Sequence, residues 1–322
     1  MYKFIKKIML FVVMCSLVSC KGIEFANQKI AKAEEFSKAE AMIYVAEEKN
    51  RYENKFGNAL WNLKSGDGNL YFKDYIVSIT KGFIEKIMVF KLVANDLNVI
   101  VSNADSEKIN SASKEYYESL TIDDIDYIGC NEEDVHKAFA DYHVARLVVD
   151  NLSKNASTEL SISEAKVMKV QYIIFDDKEL ANQTAEELNN KGANFAYFAK
   201  TRSKDTEIEM IIKRGDETST RFPELFYLSD GQISDVIHFK NEYYLFKCID
   251  DYLVDETEER RLEILKSMKN EEFKANYGKY VEKYKIKSNS TYWRDIDLQK
   301  GSSCTIDKFE KIYYKYFPKT IK

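Results

Sequence analysis

Between Phe72 and Leu97, apolar residues recur every three or four positions: Ile76, Ile79, Phe83, Ile87, Phe90, Ala94 and Leu97. A period near 3.6 puts them on one face, so the spacing predicts a long helix with a single buried stripe. Upstream, Ser37-Lys38-Ala39-Glu40 has the spacing of a capping box, and a helix is expected from there through Tyr52 towards Phe56. Gly57 suits a left-handed cap behind it. Leu60-Trp61-Asn62-Leu63 and a turn-rich Ser65-Gly66-Asp67-Gly68 follow. Ser102 or Asp105 caps a helix through Glu118, and Asn131 with Asp134 opens another that runs to about Leu152. The first 160 residues therefore read as helical.

The period changes near Val167. Val170 to Phe175 is a compact β-favouring run, followed by a polar helix from Lys178 to Lys191 and a shorter one from Asn194 to Lys200. Asp235 to Phe239 and Glu242 to Ile249 flank Lys240-Asn241, which suggests a hairpin closing a small antiparallel sheet. After Asp255 the helical period returns, with Leu262, Leu265, Met268, Phe273, Tyr277, Tyr280 and Tyr284 on one face. The tail from Asp307 to Lys322 reads as a short docking helix, with an amphipathic membrane segment as the alternative. The fold class expected is α+β: a mainly helical domain bracketing a small antiparallel sheet flanked by helices.

The N-terminus changes this picture by placing the protein. Lys3, Lys6 and Lys7 precede an apolar run from Ile8 to Val18, far shorter than the roughly 20 residues a membrane span needs. That is a secretion signal over residues 1–19. Leu17-Val18-Ser19-Cys20 resembles a bacterial lipobox, which implies an acyl chain on Cys20 and a tethered mature protein; the alternative is a plain signal with an incidental cysteine. Losing the signal's three lysines from 48 basic residues, against 53 acidic ones, takes the net charge from −5 to −8, so nucleic acid is not an expected partner. A 45% apolar content is ample for two compact units. Proline occurs only at positions 223 and 318, which favours long helices.

Of the mature cysteines beyond Cys20, Cys248 reads as a buried thiol, and a Cys130–Cys304 disulfide stays open in an oxidising compartment. His136 and His143, seven residues apart on one helix, stand some 10 Å apart along its axis, too far to share a metal without other ligands. His238 has no nucleophile motif beside it. No metal or cofactor is expected.

Residues 166 to 252 resemble a parvulin peptidyl-prolyl isomerase domain. The likeness lies in the order and spacing of the strand at Val170, the Ala185-Glu186-Glu187-Leu188 helix, Gly192-Ala193-Asn194-Phe195, Phe198-Ala199, Ser203-Lys204-Asp205, Arg214-Gly215-Asp216, Phe226-Tyr227-Leu228, Gly231-Gln232-Ile233-Ser234 and Val236. Ser37 to Trp61 is similar to the N-terminal helical domain of SurA- and PrsA-type foldases. The resemblance implies a helical chaperone domain over 20–165, the parvulin-like domain over 166–252, a helix over 253–287 that returns to complete the helical domain, and a tail over 288–322.

Such a domain twists an X-Pro peptide bond, whose rotation barrier is about 18–20 kcal/mol, using an apolar pocket for the proline ring and a polar network around the amide. Active members carry a histidine on the first and on the last strand. Here Tyr172 and Tyr244 stand at those positions, and Asp205 occupies that of a network cysteine or aspartate. Phe222, Phe226 and Leu228 are the candidate pocket residues, in a connection that looks shortened and lacks the family's methionine. Two readings of the tyrosines stay open: a Tyr172–Asp205–Tyr244 network, or large aromatics filling the middle of a small sheet.

The function expected is that of an exported, lipid-anchored foldase or chaperone. It would hold unfolded secreted polypeptides in an apolar cleft between helical domain and module. The alternatives are a working prolyl isomerase and a solute-binding or adhesive lipoprotein.

Overall fold

A computed structural model describes residues 35–64, 70–157, 159–190, 192–286, 288 and 290–318. The signal segment and Cys20 lie outside the described residues. The chain divides into two compact units, one formed by residues 1–155 with 272–322 and the other by 156–271. The dividing points differ from the expected 165 and 252. The second falls inside a long helix, so that helix begins in one unit and ends in the other.

The helical unit contains α1 (Lys38–Phe56), α2 (Phe72–Asp96), α3 (Asn103–Glu118), α4 (Ile122–Ile128) and α5 (Glu132–Leu152). Local capping chemistry sets most of the starts. The Ser37 N–H donates to Glu40 Oε2 at 2.6 Å and the Glu40 N–H donates to Ser37 Oγ at 3.1 Å, the reciprocal pair its spacing predicts. Asn131 and Asp134 form the same reciprocal pair at α5, and at α3 Ser102 Oγ accepts the Asp105 N–H at 3.0 Å. The stripe on α2 is buried at Ile76, Phe83, Ile84, Ile87, Phe90 and Val93. Gly57 follows α1 at φ 73°, ψ 168°, which needs glycine but is not the left-handed helical cap expected there.

Distant chain completes this core. The C-terminal part of α10 (Val254–Lys283) sets Phe273 and Tyr277 against Phe90, with ring centroids 6.1 and 5.2 Å away. The Asn276 amide donates to the Leu152 carbonyl at 2.8 Å, satisfying the open end of α5. Asp124 Oδ1 accepts the N–H groups of Thr305 and Ile306 at 2.7 and 3.2 Å, and Asn50 donates to the Ile306 carbonyl at 2.8 Å. α11 (Phe309–Tyr316) then drives Phe309 among Phe139, Tyr44, Tyr142 and Tyr116 at 4.2, 5.3, 5.4 and 5.7 Å.

Cys130 and Cys304 are buried here as free thiols, so no disulfide joins them; burial first, then nearby carboxylates, pushes each up to about 11.

The second unit carries α6 (Ile162–Ala165), β1 (Val167–Phe175), α7 (Lys178–Leu188), α8 (Phe195–Arg202), β2 (Glu209–Lys213), α9 (Glu217–Arg221), β3 (Ile237–Phe239), β4 (Glu242–Asp250) and the start of α10. Its strands form one antiparallel sheet in the order β2-β1-β4-β3. Strand alternation sorts the side chains. Ile173, Phe175 and Leu245 face α7 and α8, while Val170, Tyr172, Tyr244, Phe246 and Cys248 face the segment from Phe222 to Leu228. The β3–β4 hairpin turns at Lys240 and Asn241, with Lys240 at φ 56°. β2 was not anticipated. It is an edge strand with only Ile212 buried, so it shows no alternation to read.

Candidate functional site

The sheet face opposite α7 and α8 carries Tyr172 and Tyr244 and packs against Phe222, Phe226 and Leu228, with Asp205 on the loop that follows α8. Tyr172 lies in the middle of β1 and pairs with Phe246 of β4, while Tyr244 pairs with Ile174. Their rings are buried, at 5% and 7% exposure. The loop after α8 is pinned to β1, because the Ile174 N–H donates to Ser203 Oγ at 3.1 Å and the Lys204 N–H to the Ile174 carbonyl at 2.9 Å. That holds Asp205 where the Tyr172 hydroxyl donates to its Oδ2 at 2.8 Å. The same hydrogen bond, helped by the Glu207 N–H, keeps the Asp205 carboxyl below its ordinary range. Burial, followed by the bond to Asp205, pushes Tyr172 up to about 12, so its hydroxyl stays protonated and donates.

Tyr244 does not join that pair. Its hydroxyl donates to Glu242 Oε2 at 2.5 Å. Lys204 Nζ then bridges Glu242 Oε1 and Asp176 Oδ1 at 2.9 and 2.8 Å. The structure therefore brings Tyr172 and Asp205 together and gives Tyr244 a different carboxylate. Glu242 and Lys204 were absent from the expected network, and the only sequence signal for Glu242 is its two-residue spacing from Tyr244, which puts both on one strand face. Tyr244 is also pushed up to about 12, by burial first and then by Glu242.

Beneath the hydroxyls the rings form a packed layer. Phe222 meets Tyr244, Phe246 and Phe239 with centroids 4.9, 5.1 and 5.6 Å apart, and Tyr244 stacks parallel to Phe246 at 6.0 Å. Phe246, between the two tyrosines, is a site residue that pattern reading passed over as ordinary strand interior. Phe226 and Leu228 are buried in the same cluster, and the Arg214 guanidinium lies 4.3 Å from the Phe226 ring. Phe222, Phe226 and Leu228 retain 3%, 6% and 8% exposure, so a proline ring can enter among them only if one of them moves. What faces outward is a rim of two neutral hydroxyls, three carboxylates and one ammonium. Such a rim can exchange hydrogen bonds with a peptide backbone but contains no activated nucleophile.

The histidines lie elsewhere. His238 stacks on Tyr243 at 4.7 Å, His136 bonds Asn110 at 2.8 Å, and His143 is buried in the helical unit with Nδ1 2.9 Å from the Tyr313 hydroxyl. Asp230, Asp250 and Asp251 bring carboxylate oxygens within 4.8 Å of one another. Those oxygens already accept the N–H groups of Asp251 and Tyr252, and Lys166 stands 3.4 Å from Asp251. Among the described residues, no helix is long and apolar enough to cross a membrane.

No family model matches the chain, and no curated protein is similar to it. It is similar to three solved structures of interest. The crystal structure of foldase protein PrsA from Streptococcus pneumoniae shows 19% identity and a TM-score of 0.30, covering 74% of this chain and 99% of that one. The peptidylprolyl isomerase PrsA from Bacillus cereus shows 18% identity and a TM-score of 0.36, covering 78% and 97%. A SurA-like chaperone structure from Campylobacter jejuni shows 14% identity and a TM-score of 0.25, covering 64% and 84%.

Proposed function

We propose that the protein is an exported foldase or chaperone, tethered to the membrane by a lipid on Cys20, that binds unfolded secreted polypeptides. The observation that supports this best is the architecture. A four-stranded module is inserted in a helical unit whose core is completed by chain from both sides of the insertion, the organisation that the resemblance to PrsA- and SurA-type foldases implies. Binding carries the function in this reading. Apolar segments of a client lose water-exposed surface at about 25 cal/mol per Å², and no covalent step is involved. Purified protein should slow the aggregation of a chemically denatured client at near-stoichiometric ratios. No effect across several unrelated clients would overturn the reading.

A second reading, a working prolyl isomerase, is favoured by one observation: the Tyr172 hydroxyl is held on Asp205 at the edge of the ring layer. A donor so placed can stabilise a twisted amide. Substoichiometric protein should then accelerate a proline-limited refolding reaction, and Asp205→Ala should reduce the acceleration. Equal rates with and without the protein would leave binding alone.

A further inference from the structure

His136 and His143 share α5, yet the fold treats them oppositely: His136 is exposed, whereas His143 is 4% exposed and packs against α3 and α11. A buried imidazole cannot turn to water, so each ring nitrogen needs a partner in the protein. Nδ1 has one, the Tyr313 hydroxyl of α11 at 2.9 Å. Nε2 is buried without one, and Asp105 Oδ2 of α3 stands 3.9 Å from it, beyond hydrogen-bond reach.

That asymmetry fixes the proton of the neutral ring. A lone pair on Nε2 would face a carboxylate oxygen, so the proton sits on Nε2, and Nδ1 accepts from Tyr313, whose own proton burial keeps in place. Tyr313 has no other hydrogen-bond partner among the described residues. A second proton, on Nδ1, reverses the arrangement. Both ring nitrogens then donate, Tyr313 can only accept, and its hydroxyl proton is left without an acceptor inside the core. The charged ring is drawn instead towards Asp105, which is held at the start of α3 by Ser102 Oγ at 2.7 Å.

The charges that face the ring are Asp105 and Lys108 from α3 and Arg146 and Asp150 from its own helix; from α11 it meets the Tyr313 hydroxyl, and just beyond that helix the Phe317 ring at 4.3 Å. Lys108 Nζ already lies 5.5 Å from the Phe317 ring centre, so a second cation on that ring is opposed. Burial lowers the imidazole below the ordinary histidine value despite the two carboxylates, and Lys108 and Arg146 add to the drop. A histidine so depressed contributes its full stability above about pH 6.5 and loses it as pH falls through the folded value.

We infer that His143 is an acid-operated latch on the C-terminal helix: a proton on Nδ1 moves the imidazole's hold from Tyr313 on α11 to Asp105 on α3 and loosens the end of α11 from the helical unit. The loosening is partial. Glu115 of α3 still accepts from Lys315 and from the Tyr316 hydroxyl at 2.6 and 2.8 Å, and these bonds hold its carboxyl below the ordinary range.

The test is residue-resolved amide hydrogen exchange on the full chain, corrected for intrinsic rates, at about pH 7.5 and about pH 5, on either side of the ordinary histidine value. Protection at Tyr313 to Phe317 should fall about threefold or more relative to α2 at the lower pH. Those amides are the ones to read, because Glu47, beside the N–H groups of Lys308 and Phe309 at the other end of α11, titrates with the opposite sign. His143→Gln should remove the fall, Tyr313→Phe should shrink it, and Asp105→Asn should deepen it. The ring resonances of His143 in the parent protein should titrate below the ordinary histidine value, which decides the matter where His143→Gln does not fold. Protection that follows α2 at both pH values, an equal fall in folded His143→Gln, or a His143 that titrates at about pH 6.5 or above overturns the latch.

Discussion

The helical unit and the sheet module each contain a cluster of tyrosine and phenylalanine, and the two clusters differ in where the tyrosine oxygens go. Around Phe309, the Tyr44 hydroxyl donates to the Ala138 carbonyl at 2.9 Å, Tyr116 to Glu47 at 2.8 Å, and Tyr142 lies 3.3 Å from the Tyr314 hydroxyl. Burial raises all three well above the ordinary tyrosine value. Around Phe222, the rings are buried almost as fully, yet the hydroxyls end on Asp205 and Glu242 at the solvent margin. Ring burial alone does not separate a scaffold from a site here. The partner of the hydroxyl does, because a donor satisfied inside the core has nothing to offer a ligand, whereas one satisfied at the rim can exchange partners.

This contrast can be broken most forcefully at Phe309. Removing that side chain in Phe309→Ala leaves a cavity among four rings, and a loss of about 4 kcal/mol is expected. Both tryptophans, Trp61 and Trp293, belong to the helical unit, so urea unfolding followed by tryptophan emission reads the loss directly. A midpoint unchanged from the parent protein would mean that α11 is not part of the core. Phe222→Ala should cost the sheet module about 3 kcal/mol, with tryptophan emission unmoved and far-ultraviolet dichroism showing the earlier transition. If both signals shift together, the two clusters do not unfold independently.

Acid–base behaviour sharpens the comparison at the junction of α1 and α11. Burial raises Glu47 from 4.5 to about 8, although the Tyr116 hydroxyl and the N–H groups of Phe309 and Lys308 oppose the rise; Asp307 adds to it. A carboxyl whose folded value exceeds its unfolded one keeps a proton in the folded state that the unfolded chain releases. Its contribution to stability is therefore intact below about pH 4.5 and declines as pH climbs towards about 8. Asp124 has the opposite sign. Burial pushes it up, but hydrogen bonds from Thr121 and Thr305 outweigh this and lower it, so its contribution is lost only as pH falls beneath the ordinary carboxylate range. Glu47→Gln should flatten the decline in melting temperature between pH 5 and 8 by about half or more, with an unaltered slope counting against the assignment.

The smallest effect is expected at Tyr172→Phe, which keeps the ring and removes the donor. Stability should change far less than in Phe222→Ala, while the Asp205 carboxyl, deprived of its main hydrogen bond, should titrate at higher pH by carbon-detected resonance. An unmoved Asp205 would show that the pair does not persist in solution.

Much of this molecule was legible from local chemistry. The capping boxes at Ser37 and Asn131 and the stripe on α2 act between residues a few positions apart, and they form where the spacing places them. α4 was missed although Thr121 and Asp124 carry the same spacing and Ile122, Ile125 and Ile128 recur every three residues, because seven residues are too few for periodicity to separate a helix from a short apolar run. β2 was missed because an edge strand with one buried side chain has no alternation. At the site, the Tyr172 hydroxyl donates to Asp205, whereas the Tyr244 hydroxyl donates to Glu242, two residues away on its own strand.

What the chain determined by itself is the set of elements and their amphipathic faces, since helix caps and strand parity depend on near neighbours. Only the tertiary structure decided that Phe309 packs among Phe139, Tyr142, Tyr116 and Tyr44, all far earlier in the chain, that Cys130 and Cys304 remain separate thiols, and that the two site tyrosines answer to different carboxylates. Those outcomes depend on which distant surfaces close over one another and on a few tenths of a nanometre in hydrogen-bond reach, and neither is encoded in residue spacing.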